Sequence, residues 1–363
     1  MRTVIPLSEP DQNTGSSRQG VGRNIRILID GHGGDHAPGM VLDALEAVLS
    51  AGFLNRFSDP LTFGIIGQAD VLRPLLQQRN IVDRVSLVSA TDVVGMCDSP
   101  SHALRRKKDS SIHVGARLVR DNEWDALVSA GNTGALMAIS KVILKTLPGI
   151  DRPAIASMIP AVNGGRTLML DAGANTECNS DHLVQFAIMG SCYMQAAEGV
   201  QSPRIGLLNI GSEDIKGTDV IKLTSAKLAE SGLNYIGNVE GTDLFGNDVD
   251  VVVCDGFVGN VALKTMEGTA TFLANSMKRE LTSGVVAKAG ALLARSALRR
   301  FKDTVNPGKY NGAPLLGLNG IVVKSHGGTD ADGFVSAVSV ACREVSENLT
   351  DHIAESVQEL VEI

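Results

Sequence analysis

The chain has 363 residues, 44% of them hydrophobic and 20% charged, which is ample material for the core of a soluble globular protein. Lys and Arg number 33 against 40 Asp and Glu, and the net charge of −7 argues against global attraction to nucleic acid or an anionic membrane. Thirty-nine glycines beside nine Phe, three Tyr and one Trp suit many tight strand-to-helix turns and argue against base-stacking surfaces.

In chain order, residues 1–24 have no apolar stretch of the kind a signal peptide carries, and their Ser, Gln, Gly and Asn content predicts a disordered lead. From Ile25 onward, short apolar runs predict strands at 25–30, 61–67, 84–89, 125–130, 167–172, 204–210, 234–239, 249–255 and 320–325. Several are apolar throughout, the pattern of strands buried on both faces. Helical patterns lie between them at 40–51, 110–121, 181–197, 219–231 and 261–279. The alternation predicts one α/β/α catalytic domain over 25–363, a three-layer Rossmann-like fold with a mostly parallel sheet and right-handed connections. No apolar run approaches the ~18 residues of a spanning helix. Five scattered cysteines without a CxxC pair (Cys97, Cys178, Cys192, Cys254, Cys342) point to a reducing, cytoplasmic setting.

One arrangement recurs: a buried strand ends, small residues with Gly or Asn follow, and a helix begins. It is read at 28–39, 128–138, 170–177, 208–218 and 253–264. In an open parallel sheet such turns lie at the carboxyl ends of the strands, where glycine admits a ligand and helix N-termini offer N–H groups to an anion. Five of them on one rim predict a pocket that holds phosphate. The bland alternative is that such turns use Gly, Asn and Asp in any case. No GxxxxGK[ST], no dinucleotide GxGxxG, no GxSxG and no HExxH occurs, which disfavours ATP through a P-loop, nicotinamide chemistry, serine hydrolysis and zinc proteolysis. Acyl transfer to or from phosphate is one of the few reactions left.

The segments DGHGGDHAP (30–38), SAGNTGALMA (129–138), GIDRPAIA (149–156), LLNIGSEDIKG (207–217), VVVCDGFVGNVALKT (251–265) and YNGAPLLGLNG (310–320) together resemble the bacterial phosphate acyltransferase family, PlsX. The match runs from about residue 25 nearly to the C-terminus, and it departs from the family's usual pattern at Gly31–His32, Val258 and Gly328–Thr329. The resemblance implies a fold related to phosphotransacetylases and isocitrate dehydrogenases. It further implies transfer of a fatty acyl group from acyl carrier protein to inorganic phosphate, with no cofactor, in a homodimer that feeds phospholipid synthesis. Phosphate would attack the thioester carbonyl and expel a thiol. Catalytic roles are implied for Lys216 and Asn260, although Asn is also a preferred helix cap and a lone Lys is commonly just solvated.

Phosphate or substrate contacts are assigned to Asp30, Gly33, Gly34, Asp35, Gly131, Asn132, Thr133, Gly134, Asn175, Glu177, Asn209 and Asp255. Asp30, His32, Asp35 and His36 invite a metal reading, which attack by phosphate on a thioester does not require. Cys254 with His326 invites a nucleophilic pair, but Cys254 closes an apolar run and reads as a core thiol.

Residues 278–302 carry seven basic side chains and one acid, Glu280. The surrounding segment 277–310 is expected to be a basic amphipathic hairpin that protrudes and binds the membrane surface through Val286, Leu292, Leu293, Arg295, Arg299 and Lys302. There it would meet a membrane glycerol-3-phosphate acyltransferase. Its bland alternative is a helix packed on the domain or across a dimer. A second run, Arg105-Arg106-Lys107-Lys108, could steer acidic acyl carrier protein. Rival readings are a phosphotransacetylase-like enzyme using acyl-coenzyme A, a dehydrogenase on a related fold, and a non-catalytic membrane-associated scaffold.

Overall fold

The computed structural model describes residues 23–305 and 307–361. Residues 1–22 of the expected lead and the side chain of Lys302 lie outside the described residues. Eleven strands among the described residues form one sheet: β1 (Ile25–Asp30), β2 (Leu61–Gly67), β3 (Ser86–Ser89), β4 (Ala126–Ser129), β5 (Ala154–Pro160), β6 (Arg166–Leu170), β7 (Ile205–Leu208), β8 (Tyr235–Val239), β9 (Val251–Val253), β10 (Ala313–Leu316) and β11 (Ile321–Lys324). Their order is β3-β2-β1-β4-β11-β10-β5-β6-β9-β7-β8.

The central stretches of several strands are apolar because both their faces are covered. In β1, Ile27 and Ile29 pack into one cluster with Leu42 and Leu45, while Leu28 between them packs into another with Ala116, Leu127 and Leu136. In β9, Val252 faces the second cluster and Val251 and Val253 a third, built on Phe186, Ala187 and Cys192. Two-residue alternation along a strand thus distributes consecutive apolar side chains to the two helical layers. The structure is the mostly parallel α/β/α arrangement expected.

The single rim is not. β3, β2, β1, β4 and β11 run parallel, as do β6, β9, β7 and β8. Between the blocks come three antiparallel pairings, β11 with β10, β10 with β5 and β5 with β6. An odd number of reversals makes the two parallel blocks run in opposite directions. The turns after β1 and β4 therefore lie on one rim, and those after β6, β7 and β9 on the other.

The long helix Gly256–Leu281 leaves the sheet and is followed by helices Val285–Leu293 and Arg295–Val305. Gly284, extended at φ −165° and ψ 177°, breaks the path before the second helix, whereas Gly290 sits inside it. The basic segment thus comprises parts of three helices rather than two. Val286, Leu292 and Leu293 are 87%, 69% and 89% exposed. Arg295 and Arg299 are also exposed. No helix among the described residues is long and apolar enough to cross a membrane.

Candidate active site

On the first rim, β1 and β4 end side by side and are tied by side chains. Ser129 Oγ donates to Asp30 Oδ2 at 2.6 Å, Gly131 N donates to Ser129 Oγ at 3.0 Å and His32 N to Asp30 Oδ1 at 3.1 Å. A Cβ on Gly33 would stand 2.7 Å from both Asp30 Oδ2 and Gly131 N, so the close approach of the two turns requires glycine. Gly34 takes φ +104°. Asp35 is exposed and its N–H reaches Gly327 O at 2.9 Å. His32 accepts from Gln68 N through Nε2 at 2.9 Å.

Asn132 caps helix Thr133–Leu144 by accepting from Ala135 N at 3.0 Å, and its amide donates to Met96 O and Asp98 O at 2.8 and 2.9 Å. Both ends of its side chain hold the fold. Thr133 and Gly134 are exposed at the start of that helix.

This rim also holds Lys324, a residue the sequence reading passed over. It ends β11 opposite Ser129, is 7% exposed, and donates from Nζ to Ala130 O at 3.3 Å and to Ser325 O. Burial lowers its pKa to about 8, against the attraction of Asp30 and Asp35 and aided by Lys264. The signal available was a single Lys interrupting the apolar run IVV before SHGG.

The depressed pKa has a sign. Between about pH 8 and 10.5 the unfolded chain holds a proton that the folded chain has lost, so this group makes stability rise with pH there. Lys324→Met should therefore be more stable than the parent below pH 8, by up to roughly 3 kcal/mol. The gap should close as pH rises towards 10, as read from urea unfolding midpoints; a gap independent of pH would contradict the buried amine.

On the second rim, β6, β9 and β7 end as neighbours. Asp171, fully buried, accepts from Ile155 N, Gly173 N, Ala174 N, Asn175 N and Asn175 Nδ2 at 2.7–3.1 Å. Desolvation still holds its carboxyl above the ordinary range. Asn175 also donates to Pro153 O at 2.8 Å, and its own carbonyl accepts from Gly256 N at 2.7 Å. Asn175 thus braces the turn. Glu177 is exposed, with its carbonyl taken by Arg152 Nη1. Cys254 is buried and its thiol is pushed well up by desolvation, as expected of a core residue.

Asp255 caps helix Gly256–Leu281, accepting from Val258 N at 2.8 Å. One turn on, Asn260 is exposed, packs against Gly173, and makes no side-chain hydrogen bond among the described residues. In the neighbouring turn, Asn209 accepts from Ile210 N at 2.8 Å and donates to Lys216 O at 3.3 Å, closing a loop that ends in Gly217 at φ +87°. Lys216 is half-exposed, with Nζ 3.9 Å from Glu213 Oε1. Adjacent strands thus present an uncommitted amide at a helix N-terminus and a loosely held ammonium, an arrangement suited to an anion.

Of the residues singled out in the sequence, the structure groups Asp30, Gly33, Gly34, Asp35 and Gly131–Gly134 on the first rim. It groups Asn175, Glu177, Asn209, Lys216, Asp255 and Asn260 on the second.

Solved structures similar in fold include EutD phosphotransacetylase from Staphylococcus aureus, at TM-score 0.54 and 19% identity over 90% of this chain and 95% of that one. A phosphotransacetylase from Streptococcus pyogenes follows at TM-score 0.56 and 16% identity, over 90% and 95%. These share the fold. In sequence, a family model described as "Fatty acid synthesis protein" matches residues 25–352. A protein named "Phosphate acyltransferase" from Magnetococcus marinus is 50% identical over 92% of this chain and 95% of its own length. One of the same name from Legionella pneumophila strain Corby is 46% identical over 93% and 98%. Likeness of that depth, along nearly the whole chain, places this protein in the phosphate acyltransferase family, to which it belongs as an acyl-transferring enzyme.

Proposed function

We propose that the enzyme moves a fatty acyl group from the phosphopantetheine thioester of an acyl carrier protein to inorganic phosphate. A phosphate oxygen attacks the thioester carbonyl, the C–S bond breaks, and carrier thiol and acyl phosphate leave. Since acyl phosphate keeps the activation of the thioester, no nucleotide is consumed. The observation that carries the reading is that the turns after the adjacent strands β7 and β9 present the loosely held Lys216 and, near the head of a 26-residue helix, an Asn260 amide with no hydrogen-bond partner among the described residues. That site would hold phosphate and stabilise charge on the tetrahedral oxyanion. Positioning of phosphate can contribute roughly 7–11 kcal/mol.

Two surfaces support the partners in this reading. Arg105, Arg106 and Lys108 are exposed beside helix Pro100–Arg106 and would meet the acidic carrier. Lys107 is not available in the same way, being bound to Asp98 and Val93 O at 2.6 Å each. The apolar tips Val286, Leu292 and Leu293, with Arg295 and Arg299, would rest on anionic lipid next to a membrane acyltransferase, in a homodimer.

The experiment is release of carrier thiol from a long-chain acyl carrier thioester without nucleotide. Release should require phosphate, and acyl-coenzyme A should be the poorer donor. Equal release without phosphate would remove the transfer, and preference for coenzyme A would replace the donor.

A further inference from the structure

A cavity of about 150 Å³ lies at the far end of β6 from the second-rim turns, between the start of β6, the C-terminal end of helix Ser180–Glu198 and helix Ala331–Ser346. Three arginines from distant parts of the chain line it, Arg56, Arg166 and Arg343, against one carboxylate, Glu198. Arg166 Nη1 and Arg343 Nη1 share Glu198 Oε1 at 3.2 and 3.1 Å. The Nε and Nη2 groups of both have no hydrogen-bond partner among the described residues. Arg56 rests its guanidinium 5.6 Å from the Phe53 ring and has no carboxylate partner among the described residues. Ser339, also in the lining, leaves its hydroxyl unpaired among the described residues.

Three fixed positive charges and one negative leave an excess matched by a dianion, and planar guanidinium forks fit the oxygens of a phosphoryl group. The space exceeds what phosphate alone fills, and Met158, Val335 and Val340 give it an apolar side for a short organic stem. We infer that this cavity is a second anion site, for a small phosphomonoester, separate from the site of acyl transfer. Arg166 opens β6 and Leu170 closes it, so Arg166 stands about 13 Å along the strand from the second-rim turn that begins at Asp171. Asn311, in the cavity lining, also donates to Ser325 Oγ at 2.7 Å and accepts from His326 N at 2.8 Å, which connects the cavity to the turn after β11.

The test is calorimetric titration of the full chain with glycerol 2-phosphate, in the parent and in Lys216→Ala. Binding should persist in Lys216→Ala, so the outcome does not depend on where acyl transfer occurs. Arg166→Gln and Arg343→Gln should each weaken it at least tenfold. Ser339→Glu, which places a carboxylate among the arginines without removing one, should do the same even if an arginine variant folds poorly. Glu198→Gln should tighten binding several-fold, a gain that a merely structural role would not produce. Acyl transfer at saturating phosphate should stay within twofold in the Ser339 and Glu198 variants. Absence of binding to the parent, binding indifferent to these four changes, or binding lost with Lys216→Ala would each overturn the second site.

Discussion

Lys216→Ala should lower turnover with phosphate by about 10²–10³, the loss typical when one charge-stabilising donor is removed from a transition state. The unfolding free energy should move by no more than ~0.5 kcal/mol, as for surface positions without special contacts. The geometry separates the two effects. The Lys216 ammonium is half-exposed and, among the described residues, held only by Glu213 at 3.9 Å, so the fold loses little with it. The loop around it is closed by Asn209 through backbone and amide hydrogen bonds that survive truncation of the lysine. Steady-state rates and urea midpoints on the same preparation check both halves. An unchanged rate removes Lys216 from the reaction, and a rate lost together with stability would show a structural role instead.

Gly259→Ala should be the most damaging single methyl in the second rim. A Cβ there would overlap the carbonyl oxygen of Asp171 and stand 2.9 Å from Cys254 Sγ. The obstacle is backbone, and that backbone is pinned because Asp171 N donates to Cys254 O at 3.0 Å and its carboxylate gathers five N–H bonds. Overpacking of this kind costs roughly 3 kcal/mol or more. It should also displace the helix start that carries Asn260, so activity falls with stability. The control lies in the same helix. Gly268 has nothing within 4 Å of a built Cβ, and Gly268→Ala should stabilise by up to about 1 kcal/mol through helix propensity. Thermal or urea unfolding of the pair decides; equal effects would contradict the close packing described at Gly259.

The strands that read clearly in the sequence are those buried on both faces. The runs 25–30 and 61–67 match β1 and β2 residue for residue, because Ile25, Ile27, Leu28 and Ile29 in the one and Leu61, Phe63, Ile65 and Ile66 in the other form short apolar runs closed by Asp30 and Gly67. Two strands escaped. β5 reads AIASMIP, with Ala, Ser and a terminal Pro diluting the apolar signal, and β10 is the four residues APLL. They are the antiparallel members at the centre of the sheet, and missing them hid the reversal that divides the glycine turns between two rims. Local chemistry at each turn was legible, but the direction of the strand beneath it was not.

Side-chain commitments were also hidden. Asn132 and Asn175 carry the residue type of a ligand site, yet long-range partners in residues 95–98 and at Pro153 engage them. Lys324 went unread for the opposite reason: its burial depends on β4 and the Ala130 carbonyl, far away in sequence. Gly284, by contrast, separates two helices of the basic segment, in keeping with the low helix propensity of glycine.

The most direct measurement follows the phosphorus itself. Incubation of the protein with a long-chain acyl carrier thioester and inorganic phosphate, watched by ³¹P NMR, should produce a new acyl phosphate resonance as the phosphate signal declines. Asn260→Asp, which sets a like charge against the anion at the helix head, should suppress that resonance. Conversion of the thioester to free fatty acid with the phosphate signal unchanged would contradict the account.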